Sequence, residues 1–180
     1  MTWTRALPVD DAGAGNYPPL VLGDRTLVLA GGTLRSYDTA TGRENWVVGA
    51  EGAPYGLWDA EGTAVVLLDQ VSQTARLLGF DPATGEVRWT YRIPGNGLMG
   101  DQFLAEGGLL VTVLSGGNQL QVIDMGSGQV GWTAGRGGSP RFAVVGDLVL
   151  QPGGGQLNAY RLQDGTPVWS VPVPQDEMAV

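Results

Sequence analysis

Carboxylates are the side chains here with the most chemical potential, and three of them recur at a fixed place. Asp38, Asp81 and Asp124 each stand eight residues before a tryptophan: Trp46, Trp89 and Trp132. Aspartates can serve as general acids or bases, or as ligands for calcium. Their spacing argues against both roles. One aspartate per repeat of 43 residues is dispersed along the chain, whereas calcium needs about six to eight oxygens converging on one point. Turn capping fits better, because an aspartate accepts backbone N–H bonds from the residues that follow it. The adjacent acids Asp10-Asp11 and Asp176-Glu177 lie in glycine- or proline-flanked segments and read as solubilising tails. No cysteine and no histidine occurs among the 180 residues. Thiolate metal sites, the commonest general base and the Ser-His-Asp or Cys-His triads are therefore ruled out within this chain. We expect no catalytic residue, no metal site and no cofactor.

Charge narrows the partners. The net charge is −8, and all ten cations are arginines. An acidic chain without a basic cluster repels phosphate backbones and anionic lipid surfaces, so neither nucleic acid nor an anionic membrane is an expected partner. No apolar run of about 18 residues is present to span a bilayer, and the N-terminal residues lack the apolar core of a signal peptide. Thirty glycines are about one residue in six, well above the usual share of roughly 7 %. That excess favours many turns and disfavours long helices.

The positioning elements follow from a repeat. Four segments align: Tyr37 to Trp46, Phe80 to Trp89, Ile123 to Trp132 and Tyr160 to Trp169. A glycine stands four residues before each tryptophan, at Gly42, Gly85, Gly128 and Gly165. The fourth copy carries Arg161 at the aspartate position and Asp164 beside its glycine. Trp3 lies 43 residues before Trp46, the same period once more. Such a period accommodates four strands of about five or six residues with short turns. In the second repeat we expect strands over residues 55–59, 64–68, 76–80 and 87–93. β-Branched runs bounded by glycine support strands, and apolar spacing of three to four residues over a dozen is absent. The glycine suits the left-handed position of a G1-bulge hairpin, and the tryptophan then falls on the outermost strand, where it can cover the neighbouring sheet.

The fold class expected is all-β: four four-stranded antiparallel propeller blades plus one extra N-terminal strand, forming an incomplete or open ring. The organisation is residues 1–16 as a leftover outer strand and linker, 17–50, 51–94, 95–135 and 136–174 as blades, and 175–180 as a tail. The repeat segments resemble the tryptophan-docking motif of the pyrroloquinoline-quinone-like (PQQ-like) propeller family, A-x-D-x-x-x-G-K-x-x-W. The small first position is held by Ser36, Gly79, Val122 and Ala159, and the lysine position departs to Arg43, Glu86, Gln129 and Thr166. Kelch repeats share the Gly31-Gly32 doublet, Tyr37 and Trp46, but lack the constant glycine before the tryptophan. WD repeats would need more than the one Trp58-Asp59 dipeptide. The resemblance implies a family that includes quinoprotein dehydrogenases and also non-catalytic propellers, among them the lipoprotein of outer-membrane barrel assembly.

As for function, the expectation is a non-catalytic propeller scaffold or protein-interaction module within a larger cell-envelope or extracellular protein. The alternatives are a fragment of a quinone-dependent or other propeller enzyme, and a structural half-ring that closes as a homodimer. Protein partners or further propeller blades are expected, with a homodimer among the possibilities. The interaction surface would draw on the polar loop residues Asn96, Asn118, Arg136 and Arg141, with the aromatic Tyr55 and Trp58 nearby. Arg136 and Arg141 place two cations close together in an otherwise acidic chain.

Overall fold

The computed structural model describes residues 4, 18–30, 32–49, 53–60, 62, 65–71, 74–93, 103–114, 119–135 and 141–173. Sixteen strands build four antiparallel sheets, and no helix occurs among the described residues. The first sheet runs β1 (Leu20–Leu22), β2 (Arg25–Ala30), β3 (Thr33–Asp38), β4 (Glu44–Gly49). The second runs β5 (Ala53–Asp59), β6 (Val65–Val71), β7 (Thr74–Phe80), β8 (Val87–Arg92). The third is β9 (Leu104–Glu106), β10 (Leu109–Leu114), β11 (Gln119–Asp124), β12 (Val130–Ala134). The fourth is β13 (Ala143–Val145), β14 (Leu148–Gly153), β15 (Gln156–Arg161), β16 (Pro167–Pro172). Each is a meander in chain order. The extra N-terminal strand expected within residues 1–16, Trp3 included, lies outside the described residues except for Thr4, which is not in a strand.

Burial explains the strand sequences. The inner strand β2 reads RTLVLA, and its four central residues are buried on both faces. β11 repeats this pattern. A strand covered on both sides needs a continuous apolar run and not an alternating one. The outer strand β4 alternates half-buried with exposed, as expected for an edge with one covered face.

The chain divides into two compact units, Met1–Arg92 with Met125–Gly128, and Ile93–Asp124 with Gln129–Val180. In the first, Leu27, Leu29 and Leu34 pack with Leu78 and Phe80, joining the first two sheets into one core, with Trp46, Val48 and Leu57 at its margin. In the second, Leu109, Val111, Leu120 and Val122 pack with Phe142, Val149 and Leu162, and Trp132 and Tyr160 border them.

The hairpin after each third strand has a common backbone. Asp38 N–H donates to the Arg43 carbonyl at 2.8 Å, and Gly42 N–H to the Asp38 carbonyl at 2.8 Å. The second copy repeats both bonds between Asp81, Glu86 and Gly85, and the fourth between Arg161, Thr166 and Gly165. Gly42, Gly85, Gly128 and Gly165 all hold φ between 69° and 77°, a left-handed conformation that costs other residues roughly 1–2 kcal/mol. The bulge, however, does not fall at the glycine as expected. Pairing runs Tyr37↔Glu44 and then Ser36↔Trp46, so Asn45 is the extra residue. Arg88, Gly131 and Val168 take that place in the other sheets. The four-residue loop closes in register, and the surplus residue is absorbed immediately before the tryptophan.

Candidate functional site

That register sets three of the four indoles opposite a small residue and the other opposite a valine. Trp46 faces Ser36, Trp89 faces Gly79, Trp132 faces Val122 and Trp169 faces Ala159. The closest case is Gly79, where a Cβ would stand 2.1 Å from Cε2 of Trp89. The other side of the ring meets the glycine of the following repeat. A Cβ on Gly85 would be 2.7 Å from Trp46, one on Gly128 2.4 Å from Trp89, and one on Gly165 2.6 Å from Trp132. Real side-chain carbons do not approach this closely, so each glycine is a socket shaped for a ring. Two of the indoles add a directional bond. Trp46 Nε1–H donates to the Pro82 carbonyl at 3.2 Å, and Trp132 Nε1–H to the Leu162 carbonyl at 2.8 Å. Each acceptor lies three residues before the socket glycine. Tyr160 tilts against Trp132 with ring centroids 6.0 Å apart, a separation favourable for aromatic pairs.

Trp46, Trp89 and Trp132 are half-buried. Each sits on the last strand of its sheet, so one edge of the ring stays open to solvent. Trp169 is 39 % exposed.

The repeat carboxylates are engaged in their own hairpins. Asp38 Oδ1 accepts the N–H of Thr41 at 2.7 Å and its hydroxyl at 2.6 Å. Asp81 Oδ1 accepts the N–H groups of Ala83 at 2.7 Å and Thr84 at 3.3 Å, and Oδ2 accepts from Arg88 at 2.6 Å. In the fourth copy Asp164 Oδ1 takes the Thr166 N–H at 2.9 Å, so the turn is capped from a different position once Arg161 replaces the aspartate. The Thr41 hydroxyl and N–H hold Asp38 below the usual carboxylate range. The Ala83 N–H, then Arg88, does the same for Asp81, and the Thr166 N–H for Asp164. Among the described residues no three His, Cys, Asp or Glu side chains gather in a way that could hold a metal ion. The described residues therefore offer no cluster of oxygens that fits a calcium–quinone group.

Three of the six residues expected at an interaction surface, Tyr55, Trp58 and Arg141, fall among the described residues. Asn96, Asn118 and Arg136 lie outside the described residues, as does Trp3 among the motif residues. Tyr55 and Trp58 share β5. The Trp58 ring folds back over its own strand, where a Cβ on Gly56 would be 2.3 Å from Cη2. Arg141 is exposed just before Phe142. A groove of about 560 Å³ lies elsewhere, lined by Leu22, Asp24, Arg25, Asp59, Pro82 and Ala83 among others. Its charges are already engaged: Arg25 lies 3.8 Å from Asp24, and Asp59 caps the Gly62 N–H. Sequence reasoning missed two parts of the tryptophan clamp. The carbonyls of Pro82 and Leu162 are backbone groups with no side-chain signature. The notch at Gly79 was visible only as a departure from alanine.

Four-stranded meanders in tandem, with outer-strand tryptophans that seat on the glycine hairpin of the following repeat, define the blades of a β-propeller of the PQQ-like type. The chain belongs to the family described as outer membrane protein assembly factor BamB, whose profile matches residues 1–95 and 60–180. No functionally curated protein matches it in sequence. Among solved structures it is similar to BamB from Moraxella catarrhalis, at 20 % identity and a TM-score of 0.52, covering 86 % of this chain and 50 % of that one. It is similar also to the quinohemoprotein alcohol dehydrogenase ADHIIG from Pseudomonas putida, at 16 % identity and a TM-score of 0.56, covering 86 % of this chain and 34 % of that one. A third match is the computationally designed Ika8 protein, at 17 % identity and a TM-score of 0.56, covering 87 % of this chain and 49 % of that one. The chain thus spans half or less of the length of these structures.

Proposed function

We propose that this chain is a non-catalytic propeller segment that serves as a scaffold for protein partners within a larger cell-envelope or extracellular protein. The observation that carries this reading is how the acids are used. The repeat aspartates Asp38 and Asp81, and Asp164 in the divergent fourth copy, each accept N–H bonds from their own hairpins, so these acids serve architecture. The family's description as an assembly factor supports a role in binding other proteins. Coverage of 50 % of the Moraxella BamB chain supports an open array that further blades complete.

Two measurements test the proposal. Calorimetric titration of the purified chain with calcium and PQQ is expected to give no binding heat, and sub-micromolar affinity for either would overturn the non-catalytic reading. A photo-crosslinking residue placed at Arg141 or Trp58 should link in cells to a distinct protein. Crosslinks confined to the same polypeptide would sink the scaffold role.

A further inference from the structure

Like charges directly opposite each other on two strands repel, because their side chains start only about 4.5–5.5 Å apart. The second sheet nonetheless pairs Arg76 of β7 with Arg92 of β8. On its other side Arg76 pairs with Asp69 of β6. The repeat does not require this row. The matching positions hold Thr33 and Gly49 in the first sheet and Gln156 and Pro172 in the fourth. Counted from Trp132, they hold Gln119 and Gly135 in the third. Where three repeats use uncharged residues, the architecture makes no demand for arginine, and a repulsive pair there marks a functional departure. Leu78 and Phe80 follow Arg76 at alternate positions and share its face. They pack with Leu27, Leu29 and Leu34 of the first sheet, so the arginine row lies at the margin of that core. Arg76 is half-buried and Arg92 exposed. The next residue, Ile93, is 2 % exposed, which holds the strand end that carries Arg92. Arg25, Arg35, Arg88 and Arg161 each have a carboxylate within 2.6–3.8 Å. Among the described residues no acid reaches Arg92.

We infer that Arg76 and Arg92 form a receptor for a single carboxylate of a protein partner, carried by an aspartate or glutamate in an otherwise uncharged or basic segment. Two guanidinium groups side by side offer N–H donors to both oxygens of one carboxylate. One acid, Asp69, against two arginines leaves one positive charge over in the row. A carboxylate balances that charge, whereas a phosphate group at about −1.5 to −2 overfills it. The net charge of −8 repels a run of acids at longer range, so the acid that docks is an isolated one. Docking also relieves the repulsion between the two arginines. The half-burial of Arg76 lowers the local dielectric, which makes the contact stronger than one on an open surface.

The inference rests on the reading of this chain as a scaffold for protein partners and names the chemistry of one contact. Its test uses no cellular partner, so it can fail separately from the crosslinking in cells. The full chain is labelled with ¹⁵N-arginine, and the side-chain Nε–Hε signals are followed during titration with a blocked pentapeptide, one glutamate flanked by glycines. The Arg76 and Arg92 signals should shift together and fit one dissociation constant. Binding should weaken about tenfold or more when glutamine replaces the glutamate, the worth of one charge-assisted pair. Arg92→Gln should abolish the shift at Arg76. The same change should raise the urea midpoint, because it removes the like-charge pair. Equal affinity for the two peptides, or equal shifts at Arg25 and Arg43, would overturn the inference. Tighter binding of inorganic phosphate than of the glutamate peptide would assign the row to phosphate and overturn it too. A urea midpoint that falls in Arg92→Gln would make the row a structural element, with the same consequence.

Discussion

Trp132 donates its indole N–H to the carbonyl oxygen of Leu162 at 2.8 Å, across 30 residues of chain. Trp46 makes the equivalent bond to Pro82, whereas the Trp89 Nε1 is buried without a hydrogen-bond partner among the described residues. The Trp89 ring instead sinks into the notch at Gly79, where a Cβ would be 2.3 Å from Nε1. One repeat unit thus works in two ways, with a directed bond in two copies and closer packing in the third.

Phenylalanine substitutions separate the two. Trp132→Phe and Trp46→Phe give up a hydrogen bond and leave a carbonyl short of a donor, at about 1 kcal/mol beyond the lost ring area. Trp89→Phe deletes a donor that had no partner, so its hydrogen-bonding loss is expected near zero. Urea unfolding of the three variants checks the order, and a Trp89→Phe loss equal to that of Trp132→Phe would contradict it.

Removal of a whole ring tests the packing. Trp89→Ala is expected to rank among the most damaging single changes, at about 3 kcal/mol, the lower end for a buried aromatic because the ring is half-buried. Trp169→Ala, at an exposed position, should cost about 1 kcal/mol or less, and the exposed control Glu86→Ala within about 0.5 kcal/mol of nothing. Denaturation midpoints that fail to separate Trp89→Ala from Glu86→Ala would count against the clamp.

The sockets can be tested with two glycines of the second unit. Gly146 and Gly165 both hold positive φ, at 60° and 71°. A Cβ on Gly146 would meet nothing within 4 Å, whereas one on Gly165 would lie 2.6 Å from Trp132. Gly146→Ala should therefore show only the conformational penalty of about 1 kcal/mol. Gly165→Ala should add an overpacking cost of about 1–3 kcal/mol. Thermal unfolding of the pair isolates the steric part as their difference.

Acid should loosen the hairpins. The Asp81 carboxyl is held below its ordinary value by the Ala83 N–H and by Arg88. Its folded pKa is thus below the unfolded value of about 3.9, so the stabilisation is complete above that value and is lost as pH falls through the folded pKa. Asp81→Asn should flatten the stability profile between about pH 5 and pH 2. A profile unchanged in slope would show that the carboxylate bonds do not distinguish the folded state.

What could be read in advance divides along physical lines. The spacing of Gly42, Gly85, Gly128 and Gly165 was legible because a hairpin needs a left-handed residue at one fixed position, and glycine answers that need directly. The strand pattern was legible because β2 and β11 are buried on both faces and so carry unbroken apolar runs. The bulge at Asn45 and its counterparts was not, since any residue type can occupy it and four different ones do: Asn45, Arg88, Gly131 and Val168. The acceptors at Pro82 and Leu162 left no trace, because a main-chain carbonyl belongs to every residue. Four of the proposed interaction residues were selected from loops, where no period constrains the choice, and Tyr55 and Trp58 from the strand beside them. The one aromatic among them with a described side chain, Trp58, lies folded over Gly56.

The clamp also has a direction in time. Each hydrogen-bonded indole waits for a carbonyl that is made later: Pro82 is 36 residues beyond Trp46, and Leu162 is 30 beyond Trp132. At a synthesis rate of about 5–20 residues per second, a finished sheet emerges from the ribosome about 2–7 s before its lock exists. During that interval its outer face is open to wrong neighbours, including the glycine hairpins of other nascent chains. Locking therefore proceeds from the N-terminus, one sheet behind translation, and a chaperone that shields outer-strand tryptophans would act in that lag.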